Sequence, residues 1–321
     1  MKNKLSVVAV AFYAAMFGSA TAYGETYPSR AVRVVVPYTP GGSTDVLARI
    51  VTEKLSQKFG QTFVVENRPG ASGHIGAERV AKSDPDGYTL GVGAIPIHSA
   101  YKIYPTLNYD PTTDIIPISI IGEFPSLLIA NNEFKANNVS ELLALSKKEI
   151  VHYGSAGLGS ATHLGAALFA QKAHANMDHV PYRGSSAAST DLMGGQIQLM
   201  FENLPTAVSL VDSGRVKALA VTSKERAPSL PDIPTVAESG VPDYSFSAWY
   251  SFFVPKGTPT DIQNKLSQAL DEVLHSDELK DKFSTMGMQP VGGTVEHGLK
   301  YVSKQTALWT EIIETNNLQA K

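Results

Sequence analysis

Apolar positions along this chain switch between two spacings, and each switch falls at a cluster of turn residues. Residues 31–36 form a short apolar, β-branched run; from Ser43 onward Val46, Leu47, Ile50, Val51, Leu55 and Phe59 recur at helical spacing, and residues 62–66 are extended again. Asn67-Arg68-Pro69-Gly70 breaks the pattern. Residues 75–82 then read as helix, Asp84-Pro85-Asp86-Gly87 as a turn, and residues 88–92 as a third strand. This βαβαβ alternation predicts a largely parallel sheet with helices on both faces.

The rhythm returns later. His152-Tyr153 leads into Gly154-Ser155-Ala156-Gly157-Leu158-Gly159, a helix from Ser160 carries Leu164, Leu168 and Phe169, and residues 179–182 are extended. A short helix through Leu192, a stop at Gly194-Gly195, and strands at 196–201 and 216–221 complete a second α/β unit. Between the units lie apolar extended stretches at 116–121 with 126–130, and at 246–254, which read as two crossings between lobes. Thr258-Pro259-Thr260-Asp261 opens the next helix as a capping-box-like start with Pro in the first turn. Two more helices follow, the last burying Leu299, Val302, Trp309 and Ile312. Coming after the return crossing, they pack most simply on the first unit. The expected division is residues 23–125 with 248–321 as one lobe and 126–247 as the other.

The first 22 residues stand apart. MKNK is basic, LSVVAVAFYAAMF is an apolar run too short to span a bilayer comfortably, and Ala20-Thr21-Ala22 is a small-residue cleavage signal. These features read as a secretory signal peptide; the short apolar core disfavours an uncleaved anchor, and the missing Cys disfavours a lipoprotein. The 321-residue chain has no Cys and a net charge of −3, which loss of Lys2 and Lys4 makes more negative. That balance excludes a basic nucleic-acid footprint, and the lack of thiols excludes disulfides, thiolate nucleophiles and Cys-based zinc sites. A bacterial periplasm is the expected compartment.

Candidate chemistry concentrates at three strand-to-helix turns. Tyr38-Thr39-Pro40-Gly41-Gly42-Ser43-Thr44-Asp45 is the first, Ser155 to His163 the second and Tyr182-Arg183-Gly184-Ser185-Ser186 the third. Backbone N–H groups left unpaired at a helix N-terminus, where the macrodipole is positive, suit a carboxylate or phosphate. In open α/β sheets such turns face a ligand at the carboxyl ends of the strands, so the three would meet across a cleft. Each turn also has a plain backbone reason for its glycines. Asp45 either caps its helix or contacts ligand, and His163 either packs or helps hold a carboxylate.

Enzyme signatures are missing. The sequence holds no G-x-S-x-G elbow, Walker lysine or H-E-x-x-H, and Gly91-Val92-Gly93 followed by Pro96 is a poor dinucleotide fingerprint. No cofactor and no metal site is expected; His174 and His179 read as surface residues rather than a metal pair.

At this point the chain resembles a family. PYTPGGSTDVLAR, VVENRPGASGHIGAERVAKSDPDGYTL, LNYDPTTDIIPIS, HYGSAGLGSATHLG, VPYRGSSAASTDLMGGQIQLMFENL and RVKALAVTSKERAPSLPDIPTVAESG occur in the order found in extracytoplasmic substrate-binding proteins of tripartite tricarboxylate transporters, the Bug receptors. The resemblance implies a two-lobed α/β fold of type II periplasmic binding proteins, with parallel-rich sheets and two hinge crossings. It implies a monomeric receptor, without catalysis, that closes on a small carboxylate and hands it to membrane permease subunits. The ligand residues it implies are Tyr38, Thr39, Gly41, Gly42, Ser43 and Asp45 from one lobe, and Ser155, Gly157, Ser160, Thr162, His163, Tyr182, Arg183, Gly184, Ser185 and Glu202 from the other. Competing readings are a ligand sensor for a membrane signalling protein and an enzyme on the same fold. Three places depart from the common family pattern: Glu202, where Asp is more usual; His74, where Asn is frequent; and Ile95-Pro96-Ile97-His98. If that last stretch lines the cleft, the pocket is partly apolar and suits an aromatic or longer acid; otherwise both isoleucines belong to the core.

Overall fold

The computed structural model describes residues 27–104 and 106–316, so the leader expected at residues 1–22 lies outside the described residues. Strand β1 (Val32–Val36) is followed by helix α1 (Ser43–Phe59), β2 (Phe63–Asn67), α2 (His74–Ala81), β3 (Thr89–Ala94) and the one-turn α3 (Ile95–His98). β1 pairs in parallel with both β2 and β3, as the βαβαβ pattern requires. The β-branched face of β1 buries Val32, Val34 and Val36 against Leu47, Val51 and Leu55 of α1, the residues at helical spacing. Gly60, at φ +65°, ends α1 in the left-handed region that a residue with a Cβ seldom occupies.

Strand β4 (Ile115–Asn131) comes next. The two apolar stretches at 116–121 and 126–130 are one continuous 17-residue strand, bent by register shifts at Pro117/Ser119 and Ile120/Gly122. After α4 (Val139–Ser146), the second parallel unit runs through β5 (Val151–Ser155), α5 (Ala161–Ala173), β6 (Met177–Pro181), α6 (Ser185–Met193), β7 (Leu199–Asn203), α7 (Leu204–Asp212) and β8 (Val216–Val221). The chain returns through β9 (Ser247–Pro255) and ends with α8 (Thr260–Leu274), α9 (Asp277–Thr285), β10 (Gln289–Gly292) and α10 (Val295–Asn316).

The strands lie in the order β2-β1-β3-β9-β4-β7-β5-β6, with β10 and β8 also paired to β4. Up to Pro125, β4 pairs with β9; from Ser126 it pairs with β7. A single strand is therefore a member of two sheets, one per lobe. Thr222 ties the two crossings together: its N–H donates to Ser126 O, its hydroxyl to Phe246 O, and it accepts from Ser126 N at 2.7 Å.

Some local expectations are corrected. Pro259 occupies the cap position itself, so α8 starts at Thr260 without a side-chain cap, and the Thr258 hydroxyl bonds Pro255 O. β9 is buried on both faces from Ala248 to Pro255. On α10, Trp309 is buried, Val302 and Ile312 are half-buried, and Leu299 is 49% exposed because it falls off the packed face. His179 is half-buried, stacked on Tyr153 at 5.1 Å and tilted against the His163 ring at 4.1 Å, and not a surface residue.

Candidate functional site

The carboxyl ends of β1, β3, β5, β6 and β7 converge on one cavity between the lobes. Its walls are built from helix starts: Gly42, Ser43 and Thr44 of α1; Ser160, Ala161 and Thr162 of α5; Ser185 of α6; and Asn203, the cap of α7. Tyr38, Ala94, Ala156 and Tyr250 close the remaining sides. The starts of α1, α6 and α7 carry no side-chain cap, whereas the Ser160 hydroxyl accepts from His163 N at 3.2 Å. No charged side chain belongs to this lining. The available polarity is hydroxyl groups, one carboxamide and helix N-termini, a donor-rich set that favours an anion without neutralising it by contact with a cation.

The lobes are closed. Asn203 Nδ2 donates to Ser43 Oγ and to Tyr250 OH, each at 2.9 Å, while those two hydroxyls lie 2.7 Å apart. Thr39 Oγ1 meets Ser186 Oγ at 2.8 Å, and Tyr104 OH and Ser72 Oγ both donate to Leu158 O. Close backbone approach explains two glycines. A Cβ on Gly42 would stand 3.0 Å from Ser185 Oγ, and one on Gly184 would stand 2.1 Å from Thr39 Oγ1. The enclosed space is about 20 Å³, room for a single water. A larger groove of about 530 Å³ lies at the opposite, amino ends of β5 and β7, between Asn131 and Gln198, away from every helix start just described.

Of the sequence candidates, the structure brings Tyr38, Gly42, Ser43, Ser160, Thr162 and Ser185 to the cavity. Thr39 and Gly184 form the contact between lobes beside it. The others stand behind. Asp45 is buried, yet it turns back on its own loop, accepting from Gly41 N at 3.0 Å, Asn67 Nδ2 at 2.9 Å and Arg49 Nε. Burial pushes its pKa up, but these donors and the Arg49 charge hold it below the usual carboxylate range. Asp45 thus fixes Gly41, at φ +81°, in its turn. His163 does the same for the second turn, its Nδ1 accepting from Gly159 N at 3.0 Å; burial, then the neighbouring His179, drives its pKa down to about 3 and keeps it neutral.

Ser155 holds Gly157 N and His179 Nε2 below the cavity floor, and Gly157, at φ +118°, faces Ser72 across the lobe contact. Tyr182 donates to Asp191 at 2.7 Å, and Arg183 is exposed outside the lining. Glu202 is wholly buried behind Ser185. Ile95 and Ile97 are 0% exposed and neither lines the cavity: Ile95 packs in the apolar cluster that also holds the lining residues Tyr38, Ala94 and Tyr250, Ile97 packs in a separate cluster with Val35 and Phe253, and His74 bonds Tyr109 at 2.8 Å. Sequence reasoning missed Asn203 and Tyr250. Asn203 could have been found as the last residue of a strand directly before a helix beginning Leu-Pro, and Tyr250 as a member of the 246–254 run.

Residues 47–318 match the family described as tripartite tricarboxylate transporter family receptor. Protein BugT of Bordetella pertussis is 33% identical over 325 residues, covering 100% of this chain and 99% of that one. Among solved structures, R. palustris Rpa4515 with adipate superposes with a TM-score of 0.88 at 37% identity, covering 91% of this chain and 98% of that one. MatC from Rhodopseudomonas palustris with bound malate gives 0.85 at 31% identity, covering 89% and 100%. At 13% identity, the alkanesulfonate-binding protein SsuA from Xanthomonas axonopodis shares the fold alone, with a TM-score of 0.57. Among the described residues, no helix is long and apolar enough to cross a membrane. The two-lobed fold, the strand ends gathered on one cleft and the match over most of its length make this chain a member of the tripartite tricarboxylate transporter receptor family, a family of solute-binding proteins rather than enzymes.

Proposed function

We propose that the protein is a monomeric periplasmic receptor that closes residues 23–125 with 248–321 against residues 126–247 over a small organic carboxylate, and delivers it to permease subunits of a tripartite tricarboxylate transporter. One observation carries this reading: four helix N-termini from both lobes are aimed at one cavity whose lining has no charged side chain. A carboxylate enclosed there exchanges water for oriented N–H and O–H donors, whose fixed dipoles act more strongly in a medium of low dielectric constant. The adipate and malate named with two similar structures are carboxylates of this kind. Because the closed cavity admits about one water, capture requires the lobes to part and then close around the acid.

The test is calorimetry and thermal shift on protein exported from a host expressing the full chain, refolded to strip carried-over ligand. Adipate and malate are the probes, with sugars and cationic amino acids as controls. At a hundred times its dissociation constant a bound acid adds about 2.7 kcal/mol of stability. A shift confined to carboxylates supports the receptor reading; silence from every carboxylate, or an equal response to sugars, rejects it.

A further inference from the structure

The turn between β2 and α2 carries four successive residues at positive φ: Gly70 at +135°, Ala71 at +45°, Ser72 at +47° and Gly73 at +99°. Glycine takes such angles freely, whereas a residue with a Cβ is strained in them and stays only where its surroundings hold it. Ser72 is buried and held from three directions. Tyr38 OH, from the cavity wall, donates to Ser72 O at 3.0 Å; Tyr104 OH stands 2.9 Å from Ser72 Oγ; and the Ser72 hydroxyl donates to Leu158 O in the other lobe.

The groups around this contact are themselves fixed. Tyr104 OH is also 3.0 Å from Leu158 O, and the His74 ring meets the Tyr104 ring edge-on at 4.7 Å, which sets the phenol from its own lobe. Across the cleft, Leu158 lies between Gly157 at φ +118° and Gly159 at φ +78°; a Cβ on these glycines would stand 2.7 Å from Ser72 Oγ and 3.0 Å from Ile103 Cδ1. The gripped carbonyl belongs to the loop that leads directly into Ser160 and Thr162 of the cavity wall. None of Ser72, Tyr104 and Leu158 belongs to the lining itself.

We propose that Ser72 is a positioning residue for closure: with Tyr104 it forms a clasp on Leu158 O that holds the lobes shut around a bound acid without touching it. This inference rests on the proposed receptor function. When the lobes part, Leu158 O and both hydroxyls pass to water, so the clasp favours the closed state alone. Glycine at position 72 would relax the turn but take one donor from Leu158 O. The strained serine therefore supports closure while weakening the lobe that carries it, and the two effects separate in a variant.

The experiment compares wild type with Ser72→Gly, Ser72→Ala and Tyr104→Phe by thermal melting without ligand, by calorimetry with adipate and malate, and by stopped-flow dissociation of each acid. Ser72→Gly should melt no lower than wild type, yet bind about three- to tenfold more weakly, with most of the change in the dissociation rate. Ser72→Ala keeps the strain without the hydroxyl, and Tyr104→Phe removes the second donor; both should release acid faster than wild type. Because the clasp touches no ligand atom, the ratio of adipate to malate affinity should stay as in wild type. Wild-type affinity and dissociation rate in folded Ser72→Gly overturn the inference. So does a loss of affinity that comes with a lower melting temperature in that variant, which would make Ser72 a part of the fold only, and so does an altered ratio between the acids, which would place Ser72 against the ligand. Absence of binding of either acid to the wild type instead rejects the receptor function, and the clasp with it.

Discussion

Asn203 on the second lobe donates to the Ser43 hydroxyl on the first at 2.9 Å, although 160 residues separate them. The same carboxamide nitrogen reaches Tyr250 OH at 2.9 Å, and Ser126 Oγ lies 3.3 Å from its oxygen, so one side chain joins both lobes and a hinge strand. Asn203→Ala should therefore weaken adipate or malate binding by about 1 to 3 kcal/mol, the cost of stranding buried partners. Calorimetry measures it. Unchanged affinity in the folded variant would mean that this junction has no part in closure.

Gly184 offers a test of closure separate from ligand contact. Its φ of 167° is extended backbone open to any residue, so alanine is not strained in its own lobe. Its Cβ, however, would stand 2.1 Å from Thr39 Oγ1 and 3.2 Å from Thr39 N, both across the cleft. Overpacking of this kind costs about 1 to 3 kcal/mol. Gly184→Ala should keep the wild-type melting temperature without ligand, lose roughly tenfold or more in affinity, and stay expanded in small-angle scattering with adipate present. Compaction equal to wild type would show that Thr39 yields without cost.

Four histidines make stability depend on pH. Burial drives His74 and His179 to about 4 and His98 and His163 to about 3, so the folded chain resists protons that the unfolded chain binds below about 6.5. The stability is complete above that value and is lost as pH falls toward the folded values. Each histidine contributes up to about 1.4 kcal/mol per pH unit in that window. Glu202 acts oppositely: its raised carboxyl stabilises at low pH, and that contribution fades as pH rises through about 7. Urea midpoints should drop between pH 7.5 and pH 5.5, less so in His163→Gln; equal midpoints at both pH values would contradict the neutral burial of these rings.

The first lobe was legible because its pattern is local. The β-branched run before Pro37, the spacing from Val46 to Phe59 and the glycines at 41 and 42 each specify their element within a few residues. The site was legible only as far as its turns. Asp45 and His163 sit at helix starts like ligands, and whether each points at the cavity or back at Gly41 N and Gly159 N depends on a side-chain direction that sequence spacing does not set. Tyr250 and Asn203 were hidden for the reverse reason: they reach the cavity through sheet order, with no local signal marking them. The length of β4 was obscured by Gly122, Glu123 and Pro125, which separate its two apolar stretches while the strand continues through them.

β4 has a mechanical consequence. A strand shared by two sheets cannot let the lobes drift apart on a slack tether; their separation must be taken up as twist and bend near Pro125 and Ser126, where its partner changes from β9 to β7. Thr222 clamps the second crossing to the first at that level, so both crossings deform together. Any parting of the lobes is thereby concentrated at one level of the fold, where a few residues around Pro125, Ser126 and Thr222 set the angle between them.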